Sequence, residues 1–463
     1  MGADIDQYVA LRKNIHGGQV LTPGSDDFEK SLERWSQTCI KQAAVIVKPA
    51  NAQEASEAVK FATASKIPLT VKCGGHSTSG TSSIEGGMVI DLGLMKKIEV
   101  NEKDKTVTFE GGCLWEDIDG ALWKHGLATV GGTVNDTGVG GLILGGGYGF
   151  LTPKYGLTID ILLEAQIVTA DGSILQVSEN ENPDLFWAIR GAGQSFGIAT
   201  SFTVRVFDQG PVYSGPLFLP KSALPTLVDF VNFMCDTQDS NSNMITGPVF
   251  LPNGDEGFIA LIFYNGAEEE GKKFFQPLID LSLMGPEDRA RLVNMKPWTE
   301  VNHQLGQGGQ PRKLTGGATF VPPLKIEDVQ WACDAFFPFV KEHSMENFST
   351  IAWEIVPNGK VRQVDHSATA FAARGNAYHV CPYWQWTDPK LDDTVRAFNR
   401  KVVAKLKKSG VQDGAAQYNN YHMDEGLAPE KAYGVNVDRL QKIKEKFDPT
   451  NVFHKWHSFY RRA

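Results

Sequence analysis

The sequence predicts an α+β protein in which a first module, rich in glycine turns, is joined to a second module of longer segments. Three observations carry this. Strand-like and helix-like segments alternate from residue 44 to about 207, glycine clusters interrupt them, and the character of the chain shifts between Gly210 and Pro225. A chain of 463 residues has room for two or three structural units at about 150 residues each.

Taken in order, Ala44 to Val47 reads as a short apolar strand. Asn51 followed by Glu54 predicts an N-cap with its capping-box partner, and Ala55, Ala58, Val59 and Ala62 then fall on one helical face that ends near Lys66. Strands are expected at Pro68 to Lys72, Met88 to Leu92 and Thr106 to Glu110. Leu114, Ile118, Ala121 and Leu122 mark a second amphipathic helix, and Leu163 to Ala170, Asp171-Gly172 and Ile174 to Val177 a hairpin. Gly210, Pro211, Gly215, Pro216 and Pro220 then punctuate a boundary. Beyond it, helices at Leu224 to Cys235 and Ile326 to Glu342 separate strands such as Phe258 to Tyr264. The tail from Tyr418 is again motif-like, and is expected to return to the first module.

Composition excludes several functions. With 42% apolar and 21% charged residues the chain is an ordinary globular protein. Its 45 Lys and Arg against 54 Asp and Glu give a net charge of -9, so no nucleic-acid partner is expected. The opening MGADIDQYVALRKN has no signal-peptide core and no run approaches a membrane span, which predicts a cytoplasmic protein without a membrane partner. Six scattered cysteines have no C-x-x-C pair or zinc-like spacing, so no metal site is expected.

The glycine clusters carry the chemistry. The first, Lys72-Cys73-Gly74-Gly75-His76-Ser77-Thr78-Ser79-Gly80, follows a strand and offers backbone N–H groups suited to a pyrophosphate. The second runs from Gly131 to Gly149, where missing Cβ atoms let a flat ring approach the main chain. The third is Gly191 to Ile198. Each cluster alone reads equally well as a bare turn. A dinucleotide-binding G-x-G-x-x-G fits poorly, because neither Gly138-Val139-Gly140-Gly141 nor the Gly145 run is expected to open a helix within a βαβ unit.

Further motifs share the order of these clusters: Val89-Ile90-Asp91-Leu92, Lys154-Tyr155-Gly156-Leu157 with Asp160, Asp184 to Ala188 with Arg190-Gly191, Thr369-Ala370-Phe371 with Arg374, Tyr418-Asn419-Asn420-Tyr421, and Asp448 to Phe453. The combined pattern resembles the FAD-linked oxidases of the vanillyl-alcohol oxidase and p-cresol methylhydroxylase superfamily, in the berberine-bridge-enzyme-like branch. The resemblance implies a two-part FAD-binding domain of the PCMH type, residues 1–207 and 416–463. Between them, 208–415 would form an antiparallel-sheet substrate domain backed by helices. It further implies that Lys72, Cys73, Gly74, Gly75, Ser77 and Gly80 hold the pyrophosphate, with His76 covalently joined to the flavin. Thr133, Val134, Thr137, Gly138, Gly141, Leu142 and Gly147 would pass along the ring, Gly193, Gly197 and Ile198 would meet the adenosine end, and Asn420 and Asn451 would approach from the C-terminal motifs.

Two departures stand out. Many relatives attach the flavin a second time through a cysteine where this chain has Val134, and Cys113 lies outside that motif, so a single attachment is implied. Lys72 stands where Arg is commoner, keeping the charge but not the fork geometry.

In Tyr378 to Trp386, strand alternation puts His379, Cys381, Tyr383 and Gln385 on one face and Trp384 and Trp386 on the other. His379, Tyr383 and Gln385 are candidates to orient or deprotonate the substrate, although a mixed core strand would show the same pattern. Tyr148 and Tyr421 are the further candidates, and both equally suit packing roles with satisfied hydroxyls. Glu354 reads as a structural carboxylate. The resemblance then implies an FAD-dependent oxidase of a small metabolite (alcohol, amine or activated C–H). Hydride would pass to flavin N5 and O2 would reoxidise the flavin to give H2O2. The alternative is a flavin-scaffold enzyme of non-redox cyclisation or isomerisation. In the family the residue before Gly138 borders the face where oxygen reacts, and Thr137 there implies open access. The oligomeric state is left open.

Overall fold

The computed structural model describes residues 8–306, 311–410, 418–421, 429–457 and 459. Its first strands, Val45–Lys48, Met88–Asp91 and Leu69–Lys72, pair in parallel, and Gln19–Leu21 closes the sheet antiparallel to Val45–Lys48. Val45, Ile46, Val47, Met88, Val89 and Ile90 are all buried, as strands covered on both faces require. The helix Ala52–Ala64 covers one face with Ala55, Ala58, Val59 and Ala62, and the Asn51 side chain accepts the Glu54 N–H at 3.0 Å. The Glu54 carboxylate does not complete a capping box. It accepts instead from the N–H groups of His16, Gly17 and Ala50, because the chain before the first strand folds over the helix start and needs an acceptor.

A five-stranded antiparallel sheet follows, in the order Ile98–Asn101, Thr106–Glu110, Ile198–Arg205, Leu162–Val168, Ile174–Ser178. Its last two strands are the expected hairpin, turned at Gly172 with φ +80°. The second glycine cluster opens a helix, though not within a βαβ unit, since the preceding strand Leu127–Ala128 pairs antiparallel with Phe207–Asp208. Gly138 is the N-cap residue of this short helix, Val139–Leu144, and Gly138 itself packs on the Gly74 main chain of the first glycine loop, where a Cβ would collide.

The chain then builds an eight-stranded antiparallel sheet. Its main path is Asn294–Lys296, Val212–Pro220, Glu256–Tyr264, Ser242–Phe250, Thr350–Ile355, Tyr378–Trp386, Arg312–Thr315, with Ala318–Phe320 also on Tyr378–Trp386. Alternation divides its two faces. Ile262 and Trp353 join a core with the helices Leu224–Thr237 and Ile326–Glu342, whereas Leu261 and Phe263 join the core of the first module. The Arg312–Thr315 edge docks on that module: Ser36 Oγ donates to the Lys313 carbonyl at 2.7 Å and accepts the Lys313 N–H at 2.8 Å, and the Thr315 N–H reaches Thr78 Oγ1 at 3.3 Å.

Two buried ion pairs fasten distant motifs. Arg374 donates bidentately to Asp160 at 2.7 and 3.1 Å, joining the Thr369–Arg374 and Lys154–Asp160 segments. Lys444 donates to Asp448 and to the carbonyls of Ser195 and Phe453, which ties the C-terminal helix Val437–Phe447 and the turn after it to the third glycine cluster. Among the described residues no helix is long and apolar enough to cross a membrane, and no cluster of metal-ligating side chains is present.

Candidate active site

Between the glycine clusters and the inner face of the large sheet lies a cavity of about 1030 Å3. One wall is the first glycine loop packed on the second: a side chain on Gly74 would collide with the Gly138 main chain, so only Gly lets these two turns meet. Gly75 also has φ +69°. Gly141 differs, for a Cβ there would meet nothing within 4 Å and would stand in the cavity itself. Beside it, Gln194 donates to the Gly141 carbonyl at 3.0 Å while its own Oε1 is buried without a hydrogen-bond partner. A cradle of bare main chain with a waiting acceptor suits a flat, hydrogen-bonding cofactor, and these residues fit FAD.

Of the residues expected at the cofactor, Cys73, Gly74, Gly75, His76, Ser77, Thr133, Val134, Thr137, Gly138, Gly141, Leu142, Gly197, Ile198 and Asn420 line the cavity. Five lie off its wall. Lys72 turns away to pair with Asp91 at 3.0 Å, so its charge is already matched. Gly80 (φ +75°) and Gly147 (φ +75°) serve turns, and Gly193 packs against Leu144. Asn451, at φ +56°, belongs to the turn held by Asp448. Cys73 and Cys113 are thiols rather than thiolates, since burial pushes them up to about 11 and about 12.

At the other end of the cavity the chain brings together Tyr148, Glu354, Tyr418 and Tyr421. Tyr148 follows the triple glycine. Glu354 comes from the strand Thr350–Ile355, and the two remaining tyrosines come from the C-terminal motif. Glu354 accepts from both sides: Tyr148 Oη donates to Oε2 and Tyr421 Oη donates to Oε1 at 2.9 Å. Burial pushes the Glu354 carboxyl up to about 7, against the pull of the two phenol donors. Burial, with Glu354 beside them, holds the Tyr148 and Tyr421 phenols well above their ordinary range. His379 stacks on the Tyr148 ring at 5.0 Å, and burial lowers it to about 4, so it is a neutral imidazole.

Tyr383 lines the cavity, with its hydroxyl donating to Gln385 Oε1 at 2.9 Å. His379 and Gln385 themselves lie off the wall, one behind Tyr148 and the other behind Tyr383. Four participants escaped the sequence reading. Trp35, without a motif around it, stacks on His76 at 4.9 Å, and Arg34 donates to the Ser31, Leu32, Glu33 and Ser82 carbonyls beneath the first glycine loop. Gln194, on the Gly141 carbonyl, and Asp136, 3.3 Å from His76 Nε2, sit inside the glycine clusters, where the glycines carry the motif. Glu354 stood out as an acid in an otherwise apolar strand, and that was the available signal.

Comparison with known proteins agrees with this geometry. Residues 43–178 match the FAD binding domain family and residues 417–458 the berberine and berberine like family. The FAD-linked oxidoreductase pgmH of Aspergillus terreus is 34% identical, over 98% of this chain and 95% of its own. The FAD-linked oxidoreductase OXR1 of Pyricularia oryzae is 31% identical, over 94% and 87%. Two solved structures share the fold: the xylooligosaccharide oxidase of Myceliophthora thermophila C1 (24% identity, TM-score 0.84, 100% of each chain) and the 6-hydroxy-D-nicotine oxidase of Arthrobacter nicotinovorans (22% identity, TM-score 0.80, 96% of this chain and 98% of that one). At 34% identity to the Aspergillus terreus oxidoreductase over nearly its whole length, and with the glycine cradle in place, the chain belongs to the FAD-linked oxidoreductases of the berberine-bridge-enzyme-like branch and is an FAD-dependent oxidoreductase.

Proposed function

We propose that the protein is an oxidase of a small, uncharged, hydroxyl-bearing metabolite. The observation that carries this reading is Glu354 held between two phenols at the cavity wall. A phenol buried this deeply does not ionise alone, whereas a carboxylate near neutrality accepts a proton readily. The substrate hydroxyl therefore gives its proton to the Oη of Tyr421 or Tyr148 as that phenol passes its own proton to Glu354. FAD bound in the cradle supplies the acceptor of the hydride. Tyr383, set by Gln385, orients the substrate from the neighbouring strand.

The neighbours of Glu354 favour a substrate without charge. Across the sheet it faces Ile245, two residues along its own strand is Ala352, and Cys381 pairs with Ala352. All three line the cavity. A carboxylate at the reacting carbon would meet the Glu354 carboxylate with no cation among these three neighbours, and an ammonium would pair with Glu354 and draw it out of the proton relay.

By the family resemblance His76 is the residue for covalent attachment, and the attachment is single because Val134 has no nucleophile and the cysteine thiols nearby are protonated. Thr137 lines the cavity with its Oγ1 3.4 Å from His76 Nδ1, and its size leaves oxygen a path. The test is anaerobic mixing with a panel of aromatic and aliphatic alcohols, followed by air. The expected result is bleaching of the flavin band, then rapid return with one H2O2 per turnover, and slower return in Thr137→Leu. Product formation without bleaching would replace the oxidase reading with non-redox cyclisation or isomerisation.

A further inference from the structure

The two ring nitrogens of His76 face different partners. Nε2 lies 3.3 Å from Asp136 Oδ1, and Nδ1 lies 3.4 Å from Thr137 Oγ1. Asp136 is held below the usual carboxylate range: burial opposes its ionisation, but His76 and then Lys313 outweigh burial. Lys313 is the unusual member of this group. Its side chain is fully buried on the edge strand, its ammonium has no hydrogen-bond partner among the described residues, and it rests 4.3 Å over the Trp35 ring. Trp35 in turn stacks on His76 with only 21° between the rings. A buried cation without a hydrogen bond is unfavourable unless a charge or a π-face opposes it. Here Trp35 supplies the face and Asp136 the charge, so three elements distant in sequence converge on one imidazole.

A carboxylate 3.3 Å from Nε2 favours the tautomer that carries its proton on Nε2 and its lone pair on Nδ1. We propose that Asp136 is the positioning residue that holds His76 in the tautomer nucleophilic at Nδ1, with Trp35 and the Lys313 side chain packed behind the imidazole, so that His76 attaches itself to the flavin. The inference rests on the covalent attachment proposed above. In the step, Nδ1 bonds to the 8α-methyl carbon, that carbon gives up one hydrogen, and the Nε2 proton passes to Asp136. The two hydrogens and the electron pair end on O2, which leaves as H2O2.

The test uses the full chain made in riboflavin-limited cells and mixed with FAD in air. Covalent flavin is read as fluorescence of the acid-denatured protein over time, and non-covalent binding as quenching of free FAD. Asp136→Asn keeps the shape and an acceptor but removes the charge. It is expected to bind FAD like the unmodified chain and to attach it about 10-fold to 100-fold more slowly, the usual cost of losing an orienting partner. Asp136→Glu is expected to restore most of the rate, and Lys313→Met to slow attachment by less than Asp136→Asn does. A merely structural role predicts the reverse order, with Asn tolerated better than Glu. That order, unchanged attachment in Asp136→Asn, or loss of FAD binding in both Asp136 variants overturns the inference. If the unmodified chain carries no covalent flavin, or carries it on a peptide without His76, the attachment reading itself fails instead.

Discussion

Glu354 and Asp119 are both buried carboxylates, each accepting two side-chain hydrogen bonds and each pushed up to about 7 by burial. Their donors differ. Asp119, on the helix Trp115–Trp123, accepts from Trp298 Nε1 at 2.8 Å and Asn302 Nδ2 at 2.7 Å. An indole and an amide do not surrender protons near neutral pH, whereas the phenols on Glu354 can pass one along as they receive another. Glu354 also borders the cavity, and Asp119 does not. A raised carboxyl is therefore no mark of catalysis by itself. What separates a relay from a clamp is the exchangeability of the donor's proton and a route for substrate to reach it.

The comparison can be broken most directly at Glu354. Glu354→Gln should slow anaerobic flavin reduction by roughly 10²-fold to 10⁴-fold in stopped-flow measurements while the fold survives, because Gln keeps the shape, its carbonyl oxygen accepts from one phenol and the other phenol can turn to accept from its amide. The same variant should lose the rise of kcat/KM with pH through about 7, since the base works only when deprotonated. Tyr421→Phe and Tyr148→Phe each remove one arm of the relay, and the larger of their effects should approach roughly 10²-fold. An unaltered reduction rate in all three would move the proton acceptor elsewhere.

At Asp119 the expected loss is in stability. Asp119→Ala strands an indole N–H and an amide in the core, which should cost roughly 2–4 kcal/mol in urea unfolding and leave flavin reduction near the unmodified rate. A matching loss in rate would show that this clamp, too, governs the chemistry.

The smallest expected effect sharpens the contrast through pH. Both carboxyls are raised in the folded chain, from 3.8 for Asp119 and 4.5 for Glu354. Between those values and about 7 the folded chain holds more protons than the unfolded one, so stability falls as pH rises through that window. Asp119→Asn should flatten the fall by on the order of 1 kcal/mol between about pH 5 and about pH 7. Substrate or flavin binding should alter the Glu354 share alone.

The mixed architecture was legible because short-range patterns wrote it. Val45-Ile46-Val47 and Met88-Val89-Ile90 are unbroken apolar runs, and Asn51 caps its helix through a contact three residues away. Tyr383 and Gln385 share a face because strand alternation is strict over two residues. The Tyr148–Glu354 pair was not legible, since it joins positions 206 apart through a sheet whose strand order is not the chain order. For the same reason Lys313 and Trp35 showed nothing in sequence of their convergence on His76. The Lys72–Asp91 pair was not legible either, because Asp91 lies on the adjacent parallel strand, and parallel pairing is hard to foresee.

The Arg312–Thr315 strand ends the large sheet, and its outward main-chain groups are met by hydroxyls of Ser36 and Thr78. An uncovered strand edge is a template on which another chain can add. Here the cover comes from Thr78 within the first glycine loop and from Ser36, next to the Trp35 N–H that donates to the Gly75 carbonyl of that loop, so displacing the loop would uncover this edge. Solubility is therefore expected to follow the order of the first glycine loop, with conditions that disturb it showing first as aggregation rather than as lost turnover.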